Sequence, residues 1–282
     1  MKKVLVVLVL VLVLVTTCAC SYVPSTRFMS RSQVNSLVKK YGTPQAELTL
    51  TYDLRDNGTT KTFVIKVTYD LLLSQAPLAV IRFIQLANSG AYENTIIDTY
   101  NTTYHYMIMG RYLYEPSTVE GNEGKKNYYV NNNLGGTFKG EFASNNYKKP
   151  RDGYAQFSIF SLAMFHDEYV DTDETNFDSA NGTLILAMES ETLNSNNYAV
   201  FANFVHMTCT VGDNKLYDGD NVNSNVRTNL ASFTTKTSTK KIYTDKTETE
   251  TLPTQTIVSQ VVTLSVKILG DYDWSKLPTI GK

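Results

Sequence analysis

The chain has 282 residues, a formal net charge of −1 at pH 7 and 19% charged residues. That leaves no basic excess to hold a phosphate backbone and excludes a nucleic-acid partner on composition. Composition leans to Tyr, Thr, Val and Asn, which favours strands joined by polar turns.

The chain opens with Met1-Lys2-Lys3 and an unbroken Val/Leu run from Val4 to Val15. Those twelve residues are too few to span a bilayer, which takes about 20, and they match the apolar region of a secretory signal. The following "TTCACS" resembles the lipobox of bacterial lipoproteins, with Ala19 ahead of Cys20. Cys20 is the expected lipidated residue and Cys18 the alternative; an ordinary cleaved signal is the third reading. Two acyl chains on Cys20 make a stable membrane anchor. The mature chain then keeps one thiol, Cys209, in an alternating stretch that reads as a packed residue. One thiol makes neither an intramolecular disulfide nor a cysteine-based metal site.

Residues 1–20 are thus read as the signal with its lipobox-like end, 21–46 as a tether, 47–272 as one domain and 273–282 as a tail. In the tether, "SRSQVNSLVKKYG" spaces Val34, Leu37 and Val38 for one short helix that Gly42 ends. Glu47 to Asp70 holds two alternating runs around Asp56-Asn57-Gly58-Thr59, a hairpin signal, since Asn-Gly accepts the positive φ of a tight turn. Ala76 to Tyr92 reads as a helix with Pro77 in its first turn. "YHYMIMGRYLY", residues 104–114, alternates as a strand, with His105, Met107 and Met109 on one face and Tyr104, Tyr106 and Ile108 on the other. A glycine-rich turn region, the apolar Tyr154–Phe165 and an acidic loop follow. "GTLILAM" and "YAVFANFVHMT" read as strands, residues 215–253 as a long polar excursion with one strand at most, and "TIVSQVVTLSVKILG" as the closing strand. Many short strands and one clear early helix predict a mainly β fold, a closed antiparallel barrel with helices at its ends and long loop insertions.

The order of segments resembles the cyclophilin family. "VIKVTYDLLLSQAPLAVIRFIQLANSGAYENTIID" is similar to its opening strand and Ala-Pro helix, and "YHYMIMG" to its Phe-His-Arg-Val-x-x-Gly strand. "GGTFKGEFASN", "FSLAM", "FDSANGTLIL" and "YAVFANFV" are similar to later family segments, in order, over roughly residues 47–272. The resemblance implies an eight-stranded barrel that isomerises X-Pro peptide bonds in polypeptide clients and assists the folding of exported proteins. The barrier to that rotation is about 18–20 kcal/mol, and lowering it requires only that the twisted amide bind better than either planar form.

At the positions that the family uses for catalysis this sequence departs. The catalytic arginine's place is Tyr106, with Arg111 five residues on as the other catalytic candidate. The substrate groove maps onto Tyr112, Tyr114, Ala163, Thr183, Leu184, Ile185, Leu193 and Tyr198. Two functions stay open: an isomerase with a degenerate site, or a non-catalytic module binding proline-containing or extended segments. His105 reads as a packed structural histidine. The acidic "HDEYVDTDETNFD" and "DGDNVNSN" lack the spacing of a Ca²⁺ loop. The three histidines lack metal-ligand spacing, and Gly135-Gly136 does not lead a strand into a helix. No cofactor and no metal is expected.

Overall fold

Asn57 and Gly58 take positive φ values of 47° and 82° and turn the chain between β2 (Gln45–Asp56) and β3 (Thr59–Leu71), as the Asn-Gly pair predicts. The structure, a computed structural model, describes residues 22–23, 27–117, 124–148, 153–166, 179–190, 193–244, 246 and 251–280. A two-residue strand β1 (Tyr22–Val23) comes first, then helix α1 (Arg31–Tyr41). Beyond β3 come α2 (Pro77–Asn88), β4 (Thr95–Asn101), β5 (Tyr106–Pro116) and β6 (Lys126–Val130). The second half holds β7 (Leu162–Met164), β8 (Leu184–Ala187), β9 (Val200–Val211), β10 (Asn214–Gly219) and α3 (Ser224–Thr234). β11 (Thr237–Tyr243), β12 (Thr251–Val258), β13 (Val262–Leu269) and β14 (Thr279–Ile280) complete the chain.

Eight of these strands close on themselves in the order β5-β4-β13-β2-β3-β9-β7-β8, with β8 returning to β5, and every pairing in the ring is antiparallel. This is the closed eight-stranded arrangement that the sequence predicts, and closure leaves the ring no free edge. Inward side chains such as Leu48, Leu50, Ile65, Val67, Met107 and Met109 are fully buried. Each large aliphatic side chain so buried contributes roughly 1.5–3 kcal/mol.

Helix α2 is apolar on nearly every side, with Leu78, Val80, Ile81, Phe83 and Ile84 all buried against the ring. Pro77 presets its first turn. Ala76 offers no side-chain cap, and the carboxylate of Glu141 takes its place by accepting from the Ala79 N–H at 3.0 Å.

β5 changes partner along its length within one sheet. Residues 106–109 pair with β8 inside the ring, and residues 112–116 pair with β6, which continues outward through β11 to β12. Gly110, at φ +96°, sits at the hand-over, a conformation an L side chain rarely adopts.

In its elements the structure departs from the sequence reading at the tether, the polar excursion and the closing strand. The tether's predicted helix forms, and it also docks: Val34, Leu37 and Tyr41 are buried in the main core. The polar excursion of residues 215–253 carries a hairpin strand, a three-turn helix and two further strands. The closing strand is two strands, β12 and β13, separated at Ser259–Val261. Cys209 is buried in β9, as expected of a packed thiol.

Candidate functional site

Because β-strand side chains alternate, residues 106–109 of β5 send Met107 and Met109 into the core and Tyr106 and Ile108 to the outer side. There they meet Ala163 of β7, Ile185 and Ala187 of β8, and Val200 of β9 in a second apolar cluster. Phe157 and Phe165 close over it, and Leu193 and Tyr198 pack at its margin. Ala163 and Ile185 are fully buried at its floor. The Tyr198 ring stacks on His166 at 4.8 Å and meets Phe157 edge-on at 6.0 Å.

Arg111 follows the glycine hand-over and marks where this cluster ends. Its guanidinium sits 5.7 Å from the Phe165 ring and 5.8 Å from Tyr112. Nε donates to the Asp98 carboxylate at 3.1 and 3.2 Å, and Nη2 donates to Asp98 and, at 2.9 Å, to the Thr99 hydroxyl. The Asp98 side chain is fully buried while that of Arg111 is one-third exposed. Burial raises the Asp98 carboxyl above its usual range, and the guanidinium and the Thr99 hydroxyl act against that. Arg111 keeps its charge, since a guanidinium does not deprotonate in a protein. Nη1 carries no hydrogen bond among the described residues.

Asn131 fixes this corner. Its amide donates to the Gly110 and Ala91 carbonyls at 2.8 and 2.9 Å, and its N–H donates to the Arg111 carbonyl. Past Arg111 opens a cleft of about 390 Å³ lined by Tyr112, Asn131, Asn181, Thr183 and Leu252 among others.

The structure therefore gathers Tyr106, Ala163, Ile185, Leu193 and Tyr198 in one place, and Arg111, Tyr112 and Thr183 in the cleft beside it. Two predicted groove residues lie elsewhere. Leu184 points into the main core, because it is one step out of phase with Ile185. Tyr114 stands farther along β5 in the outboard part of the sheet, 4.9 Å from the Tyr128 ring and with the Lys126 ammonium 5.4 Å from its own. Tyr104 and His105 fall in a turn before β5 rather than in the strand, His105 at φ +48°. His105 is nonetheless partly buried and tied in: its Nδ1 lies 3.4 Å from the Tyr100 hydroxyl, and its carbonyl accepts from the Met188 N–H. Most of the acidic loop lies outside the described residues, as do Cys18 and Cys20.

Sequence reasoning missed Asp98, Asn131, Phe157 and Phe165. Phe157 and Phe165 share the apolar run already singled out, and their period-2 relation to Ala163 was the available signal. Asp98 had none, since register breaks on either side of Ile97 disturb the alternation of β4.

The site thus combines an apolar cluster, a guanidinium oriented by Asp98 at its edge and a cleft beyond it. No protein-family model and no curated protein matches the chain. Among solved structures it is similar to the cyclophilin-type peptidyl-prolyl cis-trans isomerase of Cryptosporidium parvum, at 14% identity and a TM-score of 0.37 over 81% of this chain and 99% of that one. A structure of that protein in the presence of the dipeptide Ala-Pro matches at 13% and 0.39, over 79% and 99% of the two chains. The Mimivirus cyclophilin matches at 12% and 0.38, over 80% of this chain and 90% of that one.

Proposed function

We propose that this protein is a cyclophilin-like peptidyl-prolyl cis-trans isomerase with a rebuilt donor set, acting on exported polypeptides at the outer side of a bacterial membrane to which Cys20 anchors it. Support for the fold comes from the closed ring and from family-like segments recurring in order along it. The observation that carries the activity is the Arg111–Asp98 pair at the edge of the Tyr106 cluster. As an X-Pro amide twists, resonance is lost and the prolyl nitrogen lone pair localises into a hydrogen-bond acceptor. A guanidinium already oriented by a buried carboxylate meets that acceptor without reorganising, and one such preorganised donor is worth about 10²–10³-fold in rate. Tyr106, where the family carries its arginine, supplies a neutral hydroxyl, a weaker donor than a charged one.

The test is NMR exchange spectroscopy on an X-Pro peptide with residues 21–282. Exchange cross-peaks at catalytic protein concentration are expected, weakened at least tenfold in Arg111→Lys, whose ammonium loses the two-pronged contact with Asp98. Unchanged slow exchange with the unsubstituted protein overturns the activity.

A second reading, a module that binds proline-containing or extended segments without catalysis, is favoured by the full burial of Ala163 and Ile185 beneath the protein's own Phe157 and Phe165. It predicts peptide-induced shifts at Tyr112 and Thr183 with no change in exchange rate. No helix among the described residues is long and apolar enough to cross a membrane. The anchor is tested by acyl labelling in cells, expected to persist in Cys18→Ala and vanish in Cys20→Ala.

A further inference from the structure

The region where the first and last described strands pair carries an aromatic cluster that the isomerase reading does not use. Tyr41 ends α1 and is buried. Trp274 stacks on it with centroids 5.2 Å apart and planes 20° apart, and Tyr272 packs against both, 6.0 Å from Tyr41 and 5.0 Å from Trp274. Gly270, at φ +87°, lets the Tyr272 ring fold back over the chain; a Cβ there would come within 2.9 Å of it. Tyr272 remains 44% exposed, one of few large rings so placed. Lys40 sets its ammonium 4.7 Å from the Tyr41 ring, with Lys39 beside it in the last turn of α1. Lys276 pairs with Asp273 at 2.9 Å. Two lysines, Lys40 and Lys276, thus lie beside the rings, with Asp271 and Asp273 in the same segment as Lys276.

β1 pairs in parallel with β14, Tyr22 beside Thr279 and Val23 beside Ile280, so the chain ahead of Tyr22 leaves from the segment that carries Tyr272 and Trp274. Cys20 lies two residues before Tyr22, a reach of at most about 7 Å. We infer that the face formed by Tyr272, Trp274, Lys40 and Lys276 rests on the anionic headgroups of the membrane, holding the domain in one orientation beside its anchor. This rests on the reading of Cys20 as the anchored residue. The chemistry fits the place: Trp and Tyr favour the interface, where one end of the ring is apolar and the other wet, and flanking lysines are drawn to anionic lipid.

Every described element lies within residues 22–280, so residues 21–282, with no acyl chain, isolate the surface from the anchor. Trp274 is the chain's single tryptophan and reports on itself. The probe is vesicles of brominated phosphatidylcholine, with or without phosphatidylglycerol. The expected result is quenching and a blue shift of Trp274 emission on the vesicles containing phosphatidylglycerol. Salt should weaken it, and the Lys40→Gln/Lys276→Gln pair and Tyr272→Ser should each weaken it several-fold. Emission unchanged by either vesicle overturns the surface, as does a shift that follows protein concentration alone and so reports a second copy. Acyl labelling of the full chain separates the two ideas. Labelled Cys20 without quenching sinks the surface and keeps the anchor; quenching without labelling does the reverse.

Discussion

Asp98 with Arg111, at the edge of the apolar cluster, and His206 with Asp218 and Asp220, on the hairpin of β9 and β10, are both clusters of hydrogen-bonded charges. Their surroundings set their worth. Asp98 has no exposed side-chain surface and depends on Arg111 and Thr99 for compensation. His206 reaches Asp218 at 2.8 Å and Asp220 at 2.7 Å from its two ring nitrogens, but Asp220 is 85% exposed and water competes for every contact. A short distance therefore says little without the dielectric around it. Removing one partner from a buried pair leaves an uncompensated charge, whereas an exposed pair adds little to stability.

The sharpest break of this contrast is Asp98→Ala, which strands the guanidinium and should cost about 3–5 kcal/mol in urea unfolding. The double substitution Asp98→Leu/Arg111→Met should restore most of that stability while leaving no isomerase acceleration. This separates what the pair does for the fold from what it does for the peptide.

Glu141 extends the comparison to a buried carboxylate with no cation beside it. Burial pushes its carboxyl up to about 8, although backbone N–H groups of Leu78 and Ala79 oppose this. The folded protein then holds a proton that the unfolded chain releases near the ordinary glutamate value of about 4.3. Stability is greatest below that value and falls as pH rises to about 8, by roughly a few kcal/mol. Thermal unfolding across that window should show the decline in the native chain and a clearly shallower one in Glu141→Gln.

Gly110→Ala tests how Arg111 is delivered. A side chain at φ +96° is strained, by roughly 1–2 kcal/mol. The expected outcome is a modest fall in melting temperature and a larger fall in isomerisation rate, because the strand turns Arg111 outward at this point.

His206→Gln should give the smallest effect. The two carboxylates raise the imidazole above its usual pKa, so its favourable contribution is complete below about 6.5 and fades as pH climbs through the raised value. The side chain is open to solvent, so the change in melting temperature should be slight and vanish at high salt. A large change would mean that the hairpin is covered by something.

What the sequence revealed follows from how local each signal is. The Asn57-Gly58 turn, the Pro77 start of α2 and the alternation of residues 106–109 depend on a few neighbouring residues, and all three appear as read. Ala163 and Ile185, assigned to the groove by the family resemblance, lie together in the outer cluster, while Leu184, assigned with them, turns inward because it is one step out of phase on β8. α3 was hidden because its stripe, Val226 and Leu230 behind the Asn223 cap, is short and embedded in Thr and Asn. That α1 docks could not be read from α1 itself, since the ring that completes its apolar face is Trp274, more than 230 residues later. Arg111 was visible and its partner was not: Asp98 lies 13 residues earlier on a strand whose register breaks erase the face it occupies.

The pairing of β1 with β14 sets an order of events. Tyr22 and Thr279 lie more than 250 residues apart, so this contact cannot form until the segment carrying β14 has been made. The ring can close beforehand, since β13 is complete at Leu269. The clasp therefore forms after the ring strands are in place. A chain truncated after Leu269 keeps its ring strands but lacks both the clasp and the Trp274 support for α1, leaving α1 more open to proteases than when residues 270–280 are present.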